Sequence, residues 1–152
     1  MKRFEFRLES LLRYKGHLEQ TARREMAKAV AEVRRSEREI QSLGQDRSSS
    51  ALRLESLVEK GMGAVEFKQH HSFLAAMDQM ILDEKQHKRV LEKKMDKALA
   101  MLKKRTIDKK ALERLREKRA KEYTREMLRE EQKELDEIAG IKTAREIING
   151  KA

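Results

Sequence analysis

Apolar residues recur at alternating steps of three and four along almost the whole chain. One stripe runs through Phe4, Leu8, Leu11, Lys15, Leu18 and Ala22, then Met26, Ala29, Val33, Ser36, Ile40 and Leu43. It continues through Arg47 to Ala51, Leu54 and Val58. The two consecutive steps of four at Leu18, Ala22 and Met26 resemble a stutter, which locally unwinds a coiled coil. Strand-like alternation holds only at Phe4–Glu5–Phe6. A period of three to four puts the apolar positions on one helix face, so the pattern predicts helix.

Gly61 and Gly63 interrupt this stripe as the one close glycine pair in the chain. Each costs about 1 kcal/mol inside a helix, so a turn is expected there. A second stripe follows: Phe67, His70, Leu74, Met77, Ile81, Glu84, Lys88, Leu91, Met95, Ala98 and Leu102. It thins to Ile107, Leu112 and Leu115, then recovers as Tyr123, Met127, Leu135 and Ile138, with Gly140 as an end or a fraying point. The expected fold is all-α: a long antiparallel two-helix coiled coil forming one domain over residues 1–152. Helix 1 covers about residues 4–58, the turn 59–66 and helix 2 67–148. Helix 2 is the longer, so the segment beyond about residue 122 is expected to have little or no partner within the chain.

Composition sharpens this picture. Charged residues make up 42% and aromatics 4%, and Pro, Cys and Trp are absent. Without Pro little breaks a helix, and without Cys there is neither a disulfide framework nor a thiolate zinc site. No apolar run approaches the roughly 20 residues of a membrane span, so an intracellular soluble chain is expected. The net charge of +10 is unevenly placed. Residues 103–125 carry 11 basic and 4 acidic side chains, whereas residues 126–139 carry 2 and 6. Such blocks steer a charged partner.

Four kinds of site are weighed against this background. Glu130, Glu131, Glu134 and Glu137 line a helix side, but general acid–base work needs a desolvating pocket, which a lone helix lacks. With no phosphate loop and no Ser–His–acid set, an enzyme is not expected. Glu66/His70 and Asp83/His87 lie four apart, short of the three or four ligands zinc takes, so neither metal nor cofactor is expected. The basic block could contact phosphates, which keeps a nucleic-acid-binding coiled coil through 103–125 as an alternative. Interleaved acids and the scarcity of stacking aromatics rank it second. Amphipathic insertion into a membrane would need a broader apolar face than these seams. A structural homodimeric rod would bury the same seams between chains. The sticky chain ends, Phe4, Phe6, Leu8, Leu11 and Leu12 with Tyr123, Met127, Leu135 and Ile138, either pack on each other or dock into something larger.

The opening FEFRLESLLRYK (4–15) and the closing KALERLREKRAKEYTREMLREEQKELDEIA (110–139) resemble the FliJ family of flagellar export proteins. EQKELDE, with Glu131, Gln132, Lys133, Leu135, Asp136 and Glu137, is the most specific piece. The resemblance implies a coiled coil similar to the gamma subunit of rotary ATPases and a soluble component of the flagellar type III export apparatus. Such a protein would sit in the cytoplasm, peripherally associated with the inner membrane at the flagellar base. It would insert its paired ends into the hexameric ring of the export ATPase as a central stalk and promote its assembly or activity. It would also contact the cytoplasmic part of the export-gate membrane protein and escort export chaperones, with no small-molecule substrate. The ring-binding residues implied are Phe4, Phe6, Leu8, Leu11, Leu12, Arg119, Tyr123, Glu131, Gln132, Lys133, Leu135, Asp136 and Glu137. The gate contact implied falls on Leu43, Phe73, Met77 and Met80, although residues 46–50 read DRSSS where aromatics would be expected.

Overall fold

A computed structural model describes residues 2–150. Two helices, α1 (Glu9–Glu59) and α2 (Ala64–Gly150), pack against each other as an all-α hairpin. The chain divides into two compact units, one spanning Leu18–Arg105 and the other joining the chain up to His17 with Thr106 onward.

The Leu18–Arg105 unit contains the turn and most of the buried core. At the end of α1 the Gly61 amide donates to the Val58 carbonyl at 3.2 Å, with Gly61 at φ +90°. That left-handed conformation closes the helix C-terminus and suits glycine. Gly63 then caps α2, its carbonyl accepting from the Phe67 amide at 3.0 Å. The break between helices is thus residues 60–63, narrower than the span of the 59–66 turn.

From this turn the helices zip antiparallel. Arg47 meets Asp78, Lys88 meets Glu37 and Lys94 meets Glu32, pairs whose residue numbers each add to 125 or 126. Inside these rims Ala22, Ala29, Val33, Leu54, Leu74 and Met77 are buried. Burying a side chain the size of Leu or Met stabilises by roughly 1.5–3 kcal/mol. Two polar side chains also belong to the seam. Ser36 is 3% exposed, and its hydroxyl donates to Glu84 Oε1 at 2.7 Å. Glu19, also buried, lies 3.1 Å from Arg23 Nη2 one turn on.

In the other unit the first helix begins later than the stripe predicts. Residues 2–6 are not helical, and α1 starts at Glu9 rather than near Phe4. The Glu9 amide reaches the Phe6 carbonyl at 3.1 Å and the Leu12 amide reaches Leu8 at 2.9 Å, which marks the entry turn. Leu12 is buried and Leu11 is 40% exposed, although the stripe passes through Leu11. Val58 and Ile107, both expected on the seam, are exposed; Leu57, Asp108 and Lys109 are the half-buried residues beside them. Lys15 bridges Asp108 at 3.7 Å and Glu9 bridges Arg116 at 3.5 Å, continuing an antiparallel pairing within this unit.

Helix α2 does not end at Gly140 but continues to Gly150. From Leu128 to Gly150 every residue except Glu131 is exposed, so this stretch has no packing partner among the described residues. Extending an existing helix avoids the costly nucleation step, and the segment is rich in Glu, Lys, Arg and Ala, all strong helix formers.

Candidate functional site

The candidate docking end is built from the non-helical segment 2–8 lying along α2. Phe4 brings its ring 5.6 Å from that of Tyr123 at an interplanar angle of 45°. A tilted pair at this separation adds roughly 0.5–1.5 kcal/mol beyond burial. The Tyr123 hydroxyl donates to the Lys2 carbonyl, tying down the backbone at the start of the segment. Phe6, Leu8, Leu115, Arg119 and Glu122 line the same open groove. The alternation Phe4–Glu5–Phe6 leaves both rings half-buried and Glu5 exposed.

Of the residues expected to bind the ring, Phe4, Phe6, Leu8, Arg119 and Tyr123 therefore gather at one place. Leu12 points into the core, while Leu8 (38%) and Leu11 (40%) keep exposed surface. Glu131, Gln132, Lys133, Leu135, Asp136 and Glu137 lie further along α2, on its uncovered part. They do not share a face. At about 100° per residue, Glu131, Lys133 and Glu137 fall on the Tyr123 side, Leu135 on its flank, and Gln132 and Asp136 across the helix. Gln132 Nε2 donates to Asp136 Oδ1 at 2.9 Å, closing a one-turn pair on that far side.

Met127 and Ile138, two of the sticky end residues of the sequence, share the Tyr123 side with Glu130 and Glu134, so the face mixes apolar residues with carboxylates. The close packing of segment 2–8 was signalled only by the Phe4–Glu5–Phe6 alternation. The uncovered helix offers an extended surface rather than an enclosed cavity, which suits recognition of a macromolecule more than a small substrate.

The four residues expected at an export gate lie in the Leu18–Arg105 unit, and they divide. Met77 is buried in the seam and Leu43 is half-buried. Phe73 and Met80 are more than half exposed and, seven residues apart, lie on one side of α2. Among the described residues no group of three or more His, Asp or Glu could hold a metal, and no helix is long and apolar enough to cross a membrane.

Comparison with curated proteins and with solved structures returned no match. Comparison with protein families gave a match to the family described as flagellar FliJ protein over residues 4–147, from the Phe4 that packs on Tyr123 to the last turns of α2. With nearly all of its length matched, the chain belongs to the FliJ family and is a component of flagellar protein export.

Proposed function

We propose that the chain docks into the hexameric ring of the flagellar export ATPase through the end formed by segment 2–8 and α2 beyond Arg119, promoting assembly or activity of the ring as a central stalk. The observation that carries this reading is the helix from Leu128 to Gly150, which runs on without a partner while exposing Leu135 (61%) and Ile138 (62%) among carboxylates. An isolated solvated helix would have little reason to expose such residues at helical spacing, whereas a partner groove would bury them. Phe4, Phe6 and Leu8 extend that surface toward the hairpin.

Glu131 and Glu137 would meet basic or amide groups lining the ring, and the Gln132–Asp136 pair would meet its opposite wall. In the other unit, Phe73 and Met80 offer the accessible apolar surface for the cytoplasmic part of the export gate, with Met77 and Leu43 supporting them from within. Escort of export chaperones and a location on the cytoplasmic side of the inner membrane complete the proposal.

The test is ATP hydrolysis by the cognate export ATPase with and without this protein, beside a Glu131→Ala/Asp136→Ala double variant. Stimulation by the wild type that the variant loses is the expected result. A variant that stimulates fully, or a wild type that neither stimulates nor co-elutes with the ATPase, would overturn the docking reading.

A further inference from the structure

A second surface of the same unit lies on the side of α2 away from Tyr123. Lys110, Arg114, Lys118, Lys121 and Arg125 follow one another at steps of four, four, three and four along α2. At about 100° per residue they fall within an arc of about 80°, centred opposite Tyr123 and the half-buried seam residues. The stripe is about 22 Å long at 1.5 Å per residue. All five residues are exposed. None makes an ion pair with a described residue, whereas on the Tyr123 side Lys109 pairs with Glu113 and Arg116 with Glu9. Glu117 and Glu122 flank the stripe without bridging it.

Like charges three and four residues apart disfavour a helix, so this arrangement brings the fold nothing. It also differs from the acidic face. Glu130, Glu131, Glu134 and Glu137 lie on the Tyr123 side, about half a turn away from the stripe. Over residues 110–125 the helix thus presents a purely cationic side, and over 127–138 an acidic and apolar side about half a turn away.

We propose that the stripe is a peripheral, electrostatic binding surface for anionic phospholipid headgroups. The charge calls for a polyanion, and the shape selects among polyanions. The stripe is straight and convex, with no half-buried member and no apolar anchor between its cations. A protein partner would ordinarily engage a pocket or a buried aromatic or arginine anchor. A single-stranded nucleic acid would need stacking surfaces, and the nearby Tyr123 ring faces the other way, against Phe4. A flat, dense layer of negative charge meets every cation of a straight stripe simultaneously. Clusters of four to eight Lys and Arg on a helix bind such surfaces without inserting, each adding roughly a fivefold factor in affinity. This mode needs no apolar face.

The experiment is co-sedimentation of the full chain with vesicles of phosphatidylcholine alone or mixed with phosphatidylglycerol, at about 0.1 M salt, where screening leaves surface charges effective. The wild type should bind only the anionic vesicles and release them at high salt. Lys110→Gln/Arg114→Gln/Lys118→Gln/Lys121→Gln should weaken binding by at least about tenfold. Arg24→Gln/Arg34→Gln/Arg38→Gln/Arg53→Gln, which removes as much charge from exposed positions of α1, should stay within about twofold if the stripe is what binds. Exchanging Lys for Arg and Arg for Lys at the four stripe positions should bind as the wild type does, separating lost charge from lost structure. Absence of binding to anionic vesicles, or equal loss in both Gln variants, would overturn the proposal. Single-stranded RNA that binds more tightly than the vesicles and depends on the stripe would also overturn it, assigning the surface to nucleic acid. ATPase stimulation is read separately, so failure here leaves the docking proposal standing and the reverse.

Discussion

Tyr123 carries two distinct tasks in one side chain: ring contact with Phe4 and a hydrogen bond to the Lys2 carbonyl. Tyr123→Phe keeps the first and removes the second, so it should cost about 1 kcal/mol locally, while leaving the melting of the helices almost unchanged. Hydrogen exchange should show faster amides over residues 2–8 in this variant, and Tyr123→Ala should accelerate them further. Arg47 and Asp78 give a second residue-scale prediction. The hydrogen bond from Arg47, at 2.8 Å, is the main cause that holds the Asp78 carboxyl below its ordinary value of 3.8, and their charge attraction adds to it. A carboxyl lowered in the folded state stabilises above its unfolded value and loses that contribution as pH falls through the folded one. Thermal melts of wild type and Asp78→Asn should therefore differ by a constant amount near neutral pH and converge below pH 3.8. The pair is exposed, so the gap should be small.

At the scale of the element, the seam is held in register by a polar contact as well as by apolar packing. Ser36 is buried and its partner Glu84 half-buried, so removing one side alone strands the other. Ser36→Ala should cost about 1–3 kcal/mol, and Ser36→Ala/Glu84→Leu should recover most of it. A double-mutant cycle by thermal unfolding measures the coupling; additive losses would mean that the pair does not act as a unit. This contact was legible as two stripe positions, Ser36 and Glu84, occupied by polar residues where an apolar one is usual. That they face each other follows from the turn at Gly61 and Gly63, which sets the register from which the helices zip. The helix start was read less well. A stripe through Phe4 and Leu8 fits a helix as written, yet the Phe4–Glu5–Phe6 alternation describes the segment that packs on Tyr123.

At the scale of the molecule, the docking end and the hairpin are energetically separable. Residues 128–150 bury almost nothing, so a chain ending after Met127 should melt within a few degrees of the full-length protein. The same truncation should abolish stimulation of the export ATPase. A large drop in melting temperature would show that the segment supports the hairpin, which its exposure argues against.

Local periodicity and composition by themselves determined the helices, the turn at the glycine pair and the seam residues from Leu18 to Leu54, and the motifs at the two ends carried the resemblance to the family. These are short-range properties, in which side chains three and four apart share a face wherever the helix lies. What only the tertiary structure decided is which of these side chains remain available. Met77 turns inward while Phe73 and Met80 stay out, Leu12 replaces Leu11 in the core, and segment 2–8 folds flat against α2. Each of those outcomes depends on where a second element covers the first, and a pattern along one helix does not contain that information.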